Sequence, residues 1–275
     1  MKLQIVARNS FLRLILIIIS LISFFPFYYL FIISSYFNEV ILGKGMTLIP
    51  GTYLLENLKG ILKGNYLISY YNSLIVSIGS MICSVIICAA AGYGLSLYRF
   101  KARSFFRGLI VLTMLLPPQI AIIGYIIEMR TFGINRTFLP LILAWFANSF
   151  GVFWIMQYLR ANIQKEIVES ARIDGANEGL IFFVISVPLM KSAIFTLTIL
   201  VFLWSWNSYM LPLIIITKSS MFTVPLYVQS LIGVYRTDYS AQMTGLFFAT
   251  VPLLLIFILG GKTFQKGIIA GAVKG

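Results

Sequence analysis

The chain has no histidine, two cysteines and only eight acidic residues among 275. Without histidine it lacks the usual general base, the commonest metal ligand and the central member of a Ser-His-Asp hydrolase. Cys83 and Cys88 lie inside one apolar run, with neither metal-site nor disulfide spacing, and read as small buried hydrophobes. No G-x-x-x-x-G-K-[ST] loop occurs, which excludes nucleotide hydrolysis through that phosphate cradle. Charge of either sign is scarce: Asp, Glu, Lys and Arg make up 11% of residues, against roughly 25% in a soluble domain. The sequence thus offers no catalytic residue, no metal-ligand set and no cofactor site of its own.

What is present is apolar. Hydrophobic residues account for 60% of the chain, with 23 Phe, 15 Tyr and 4 Trp. A soluble fold of this length cannot cover that much apolar surface, so the natural solvent is the lipid bilayer. Six runs are long enough to cross it as helices, each needing about 20 apolar residues. They are residues 14–37, 69–98, 109–127, 138–158, 192–217 and 241–261. The fold class expected is an all-α polytopic membrane protein, one transmembrane domain over residues 1–275. The first run follows Lys2, Arg8 and Arg13 but is long and lacks a small-x-small cleavage site, so it reads as an uncleaved span.

Of the 21 Lys and Arg, fourteen fall on one side of this arrangement. They are the three N-terminal residues, then Arg99, Lys101, Arg103 and Arg107, then Arg160, Lys165, Arg172 and Lys191, and finally Lys262, Lys266 and Lys274. The other side holds Lys44, Lys59, Lys63, Arg130, Arg136, Lys218 and Arg236. The richer side belongs in the cytoplasm, which puts both termini there. The net charge of +13 therefore reads as topology, because no separate basic domain exists to bind nucleic acid. None of the six runs contains Asp, Glu, Lys or Arg, and Glu128 ends the third at the interface. That disfavours proton- or voltage-coupled machinery, which carries ionisable groups within the membrane. Pro26, Pro117, Pro118, Pro140, Pro188, Pro212 and Pro252 lie in or beside every run but the second. They fit either simple kinks or a bent, lined pathway.

One cytoplasmic connection, about 160–191, is too polar to be a mere turn. It holds four of the eight acids: Glu166, Glu169, Asp174 and Glu178. Ile163, Ile167 and Ala171, with Val168 beside them, form a helical stripe. Asp174-Gly175 then breaks the helix, since glycine reaches the left-handed region, and Asp174 can cap a second helix starting near Ala176. A short helix with a small-residue tip at Ala171, Gly175 and Ala176 suits docking into a groove on a partner, or lying flat on the membrane face.

The stretch resembles the EAA loop of the permease subunits of ABC importers: E-A-A, three residues, G, nine residues, I, one residue, L-P. Here stand Glu169-Ser170-Ala171, Gly175, Ile185 and Val187-Pro188, departing at Ser170 and Val187. Tyr71-Asn72-Ser73, Arg99-Phe100, residues 133–137 and residues 149–153 are similar to carbohydrate permeases. So are Trp206-Asn207 followed by Pro212-Leu213-Ile214, with Ser208 replacing the family's acid, and the tail from Phe264 to Gly275.

The resemblance implies a type I importer permease in the bacterial cytoplasmic (inner) membrane, forming half of a pathway for a sugar or oligosaccharide. It implies a second, related permease, two ATPase subunits that bind ATP and Mg, and an extracytoplasmic solute-binding protein. Glu169, Ser170, Ala171, Asp174, Gly175 and Ala176 are then expected to meet the ATPase, with the tail from Phe264 as a further contact. Trp204, Trp206, Asn207 and Tyr209 are candidates to face the sugar, since Trp and Tyr rings stack on sugar C–H surfaces and Asn bonds hydroxyls. A permease for a non-sugar solute and a membrane scaffold without transport remain as alternatives.

Overall fold

Uninterrupted apolar runs satisfy their backbone internally as helix, the one local solution available in lipid. The structure, a computed structural model, describes residues 2–43, 47–162, 165–233 and 238–272, and no strand forms among the described residues. Among the described residues, three helices are long and apolar enough to cross a membrane: Phe11–Ser34, Tyr66–Leu97 and Tyr239–Gly261. They match the first, second and sixth runs to within a few residues.

The other three runs are interrupted. The third is broken at Leu116-Pro117, where Arg103–Leu115 and Pro118–Thr131 meet at 104°. Pro117 adopts an extended conformation and Pro118 opens the next helix, as expected where a proline lacks the N–H needed to continue one. The fourth divides into Leu139–Leu143 and Ser149–Asn162, because Asn148 Oδ1 accepts the Gly151 N–H at 3.0 Å and starts a new helix. The fifth forms Lys191–Trp206, then Met210–Ile215, with Asn207 donating its side-chain amide to the Leu203 carbonyl at 2.8 Å. Lys191–Trp206 also meets Glu178–Leu189 at 77°, and if each bent pair counts as one span the described residues hold up to five candidates.

The chain divides into two compact units. The first comprises residues 1–67 and 226–251. There Phe31 meets Phe247 at 5.4 Å, and the Ser34 carbonyl accepts from both Asn57 Nδ2, at 2.9 Å, and Thr244 Oγ1, at 3.3 Å. Tyr66 donates to the Gly245 carbonyl at 2.7 Å.

The second unit, residues 68–225 and 252–275, carries the elbow described below. It contains helix Tyr66–Leu97 from Ile68 onward, one face of which presents Ser69, Ser73, Ser77, Ser80, Ser84 and Cys88, all buried, and then Gly92. Such small residues let helix backbones approach closely in a membrane. Ser205 donates to Ser80 at 3.2 Å, Asn148 to Ser84 at 3.1 Å, and the Val224 N–H to Ser73 at 2.8 Å. Cys88 is buried in this packing, as its position in the sequence implied.

Asn72, on the same helix, donates to the carbonyls of Ser220 at 2.9 Å and Phe222 at 3.0 Å. Asn72→Leu removes both donors from a buried site, a loss of about 1–3 kcal/mol. Purified Asn72→Leu protein is therefore expected to unfold at a lower temperature in detergent, and an unchanged midpoint contradicts this.

Candidate functional site

The polar connection folds as a helix, a sharp elbow and a second helical start. Lys165–Ile173 carries Glu166 in its first turn and Arg172 in its last, complementing the helix dipole at each end. It stops at Gly175, whose φ is +83°, the left-handed region that glycine enters without strain. The Gly175 N–H donates to the Arg172 carbonyl at 3.1 Å and the Ala176 N–H to the Ala171 carbonyl at 3.0 Å. This paired return of hydrogen bonds is a Schellman ending.

It also corrects the expectation that Asp174 caps the next helix. Asn177 does so, its side-chain oxygen accepting from the Leu180 N–H at 2.8 Å, because Gly175 and Ala176 are still bonded backwards. From Ile181 to Ser186 the chain makes a π-helical turn, then Val187–Leu189 leads into Lys191–Trp206.

The elbow is anchored from below and open at its tip. Val168 (1% exposed), Ala171 and Ile181 (0%) are buried in a cluster with Tyr93, Ile155, Leu159 and Met190. Glu169, Ser170, Asp174 and Gly175 are exposed, and Ala176 is half-buried. Ile173, at 86% exposed, stands among them as an apolar tip that periodicity did not single out. Of the expected stripe, Val168 and Ala171 are buried, Ile167 is 40% exposed, and Ile163 lies outside the described residues.

Glu178 gathers a network. Arg172 Nε donates to its Oε1 at 2.7 Å and a second guanidinium nitrogen to Oε2 at 3.3 Å. Tyr93 donates to Oε2 at 3.3 Å, and Tyr98 donates to the same oxygen. The Arg172 guanidinium carbon lies 5.3 Å from the centre of the Tyr98 ring, within cation–π range. Arg103 and Arg107 turn back to the Leu95 and Ser96 carbonyls, capping the end of Tyr66–Leu97.

The hydrogen bond from Arg172, followed by that from Tyr98, holds the Glu178 carboxyl below its ordinary value. A depressed carboxyl stabilises the fold above the unfolded carboxylate range, and that contribution disappears as pH falls through the depressed value. Wild-type protein is thus expected to melt above Glu178→Gln at neutral pH. The two melting curves should converge in acid, and a constant gap across that range refutes the assignment.

The aromatic candidates separate. Trp206 is 2% exposed, stacked on Phe202 at 5.7 Å and set edge-on to Tyr70 at 5.3 Å, so it is a packing residue. Trp204 is 39% exposed and stacked parallel to Trp145 at 6.2 Å, with Phe150 edge-on at 5.4 Å. Asn207 ends the helix through its own amide, and Tyr209 is half-buried beyond it. The tail runs in the helix Val251–Ala272, while Val273, Lys274 and Gly275 lie outside the described residues, as do Lys44 and Arg236.

Comparison with known proteins bears on this geometry. The family model described as "Binding-protein-dependent transport system inner membrane component" matches residues 84–268, which include the whole elbow. The arabinooligosaccharides transport system permease protein AraQ of Halalkalibacterium halodurans is 32% identical over 261 residues, covering 94% of this chain and 93% of that protein. The lactose transport system permease protein LacG of Rhizobium radiobacter is 29% identical, covering 94% of each. A crystal structure of a bacterial ABC transporter involved in import of the acidic polysaccharide alginate superposes with a TM-score of 0.80 at 19% identity. It covers 94% of this chain and 96% of that one, a likeness of fold. Matched across two-thirds of its length and aligned with relatives nearly end to end, the chain belongs to the family of binding-protein-dependent transport system inner membrane components, a family of permeases and not of enzymes.

Proposed function

We propose that this chain is a membrane-spanning subunit of an ATP-driven importer, forming half of the pathway for a sugar or oligosaccharide. The observation that carries the reading is the elbow. A short helix ends on a left-handed Gly175, and its tip of Glu169, Ser170, Ile173 and Asp174 is exposed above a buried anchor. An exposed isoleucine ringed by polar residues fits a groove on a partner better than it fits water. The relatives' names, which speak of arabino-oligosaccharides and lactose, support a carbohydrate as cargo.

In this reading the chain is one transmembrane domain over residues 1–275. It crosses a bacterial inner membrane six times, with both termini and the elbow in the cytoplasm. Six passes are reached when each bent or divided run crosses once, and the Lys/Arg asymmetry supports that orientation. A second, related permease completes the pathway. Two ATPase subunits bind ATP and Mg, and one of them receives Glu169, Ser170, Ala171, Asp174, Gly175 and Ala176. An extracytoplasmic binding protein delivers the sugar. On this chain the half-exposed Trp204, with Asn207 and Tyr209, supplies the polar and aromatic surface for it, while Trp206 packs the helix behind them.

The decisive experiment reconstitutes the chain with its companion permease, ATPase and binding protein in liposomes. ATP hydrolysis is then measured against a panel of neutral and anionic oligosaccharides. Stimulation by a sugar supports the reading; stimulation only by a non-sugar solute moves it to another cargo. Purification without any ATPase, or an elbow labelled from outside intact cells, sinks it.

A further inference from the structure

Glu178 lies on the far side of the elbow from Lys165–Ile173, yet it is bonded to three residues in two separate parts of the chain. Arg172 is six residues away across the Gly175 turn, and Tyr98 and Tyr93 are 80 and 85 residues away, at the end of Tyr66–Leu97. The rings form a compact stack, with Tyr93 edge-on to Tyr98 at 5.8 Å and to Phe182 at 5.1 Å. One carboxylate therefore fastens both arms of the elbow to each other and to a helix of spanning length.

Stability alone gives little reason for such a cluster. The side chains of Arg172 and Glu178 are 34% and 46% exposed, and exposed ion pairs contribute roughly 0–1 kcal/mol. The elbow is already held by Val168 and Ile181, which are fully enclosed. What apolar anchors do not supply is angular stiffness. Two backbone hydrogen bonds close the Gly175 turn, but no heavy atom lies within 4 Å of where its Cβ would stand, so no side-chain packing braces the turn itself. A bidentate guanidinium–carboxylate pair across that turn fixes direction as well as distance. The tyrosine hydroxyls then tie the fixed unit to Tyr66–Leu97, whose end is made firm by Arg103 and Arg107 on its last carbonyls.

We propose that Glu178, Arg172, Tyr98 and Tyr93 form a clasp that makes the elbow and the end of helix Tyr66–Leu97 move as one body. A push on the elbow is delivered to that helix and is not absorbed by bending at Gly175. The proposal rests on the reading that a nucleotide-driven partner grips the elbow, and it adds positioning residues that touch neither partner nor cargo. It also gives Tyr66–Leu97 a mechanical role: its serine-lined face contacts the helices Ser149–Asn162 and Lys191–Trp206 through Cys88, Gly92 and Ser80. Displacement of its end would reach both.

The test uses the complete transporter in liposomes, with ATP hydrolysis and uptake of lactose and arabino-oligosaccharides measured on the same vesicles. The double variant Tyr93→Phe/Tyr98→Phe keeps both rings and removes both hydroxyls. It is expected to assemble at normal yield and to hydrolyse ATP near the wild-type rate, while uptake per ATP falls by about tenfold or more, since loss of even one of the two charge-assisted hydrogen bonds has about that effect in the coupled state. Glu178→Gln should fall by less, because its amide oxygen still accepts from the tyrosines. Val168→Ala loosens the anchor without touching the clasp, and should lower yield and both rates together. The clasp is overturned if uptake per ATP stays at the wild-type value in the double variant and in Tyr93→Phe/Tyr98→Phe/Glu178→Gln. It is also overturned if their uptake and hydrolysis fall in strict proportion, as a merely structural role requires. If wild-type vesicles show no ATP-driven uptake of these sugars or of any other solute in the panel, the coupling reading fails first and the clasp with it.

Discussion

Gly175→Asp is expected to stop uptake by the assembled transporter while the chain still inserts into the membrane at close to wild-type amounts. Two facts separate these outcomes. The φ of +83° makes any side chain costly, but aspartate and asparagine enter the left-handed region more readily than other residues, so the penalty is about 1 kcal/mol. No heavy atom lies within 4 Å of the new Cβ, so nothing inside this chain is displaced. The elbow therefore survives, now with a third carboxylate at a tip that already exposes Glu169 and Asp174. A groove that accepts bare backbone at Gly175 must desolvate that charge or exclude it.

Gly175→Asn carries the same backbone preference without the charge and should retain more transport. Gly175→Val, β-branched and unable to adopt this φ comfortably, should lose the elbow itself. The measurements are uptake and recovery of the ATPase on an affinity tag placed on this chain. Wild-type transport in Gly175→Asp would show that the tip meets no partner closely.

The elbow was legible in the sequence because its decisive residue is a backbone requirement. Only glycine ends a helix in this way without strain, and the spacing from Glu169 to Pro188 records the rest. The cap was not legible, since Asp174 and Asn177 are equally good caps by type. The choice follows from hydrogen bonds returning to Arg172 and Ala171, which keep residues 175 and 176 out of the new helix. Ile167, expected on the buried stripe with Val168 and Ala171, is left exposed for a related reason: a nine-residue helix takes its rotation from the cluster it leans on.

The apolar runs coincide with a single long helix where no interruption intervenes and with a bent or divided one where it does. In a chain this apolar the hydropathy signal is nearly flat, and a break is set by a single residue such as Pro117 or Asn148. Arg103 and Arg107 enter a sequence reading only as basic residues of a connection, and their structural work, capping Leu95 and Ser96, depends on a turn whose geometry no charge count contains. Burial, reinforced by the neighbouring Arg160 and Arg99, lowers Arg103 from its ordinary value. Tyr93 and Tyr98 join Glu178 across 80 residues or more, a separation that local pattern does not cross.

The serine-lined face of Tyr66–Leu97 was open to a sequence reading, and it carries the second large effect. Gly92→Leu is expected to remove most of the folded protein from the membrane, whereas Gly94→Leu, two residues along the same helix, is expected to leave it unchanged. A Cβ on Gly92 would stand 2.6 Å from Ile155 Cγ2, 2.8 Å from Ile155 Cβ and 3.2 Å from the backbone nitrogen of Met156. The obstacle is the root of a fully buried side chain and the backbone behind it, neither of which turns aside as a flexible chain end would.

Even alanine must part the two helices there, and overpacking of this kind costs about 1–3 kcal/mol. Leucine adds three more heavy atoms on the same line. Parting the helices would also loosen the hydrogen bond from Ser96 to the Met156 carbonyl, 3.1 Å long, and expose Leu159, which is buried beside it. At Gly94 no heavy atom lies within 4 Å, so a side chain there projects into open space. Quantifying the full-length chain in washed membranes for both variants checks this. Equal amounts would mean that the helices are not in contact at Gly92, and with that contact gone the route by which Tyr66–Leu97 moves its neighbours would lose its main point of bearing.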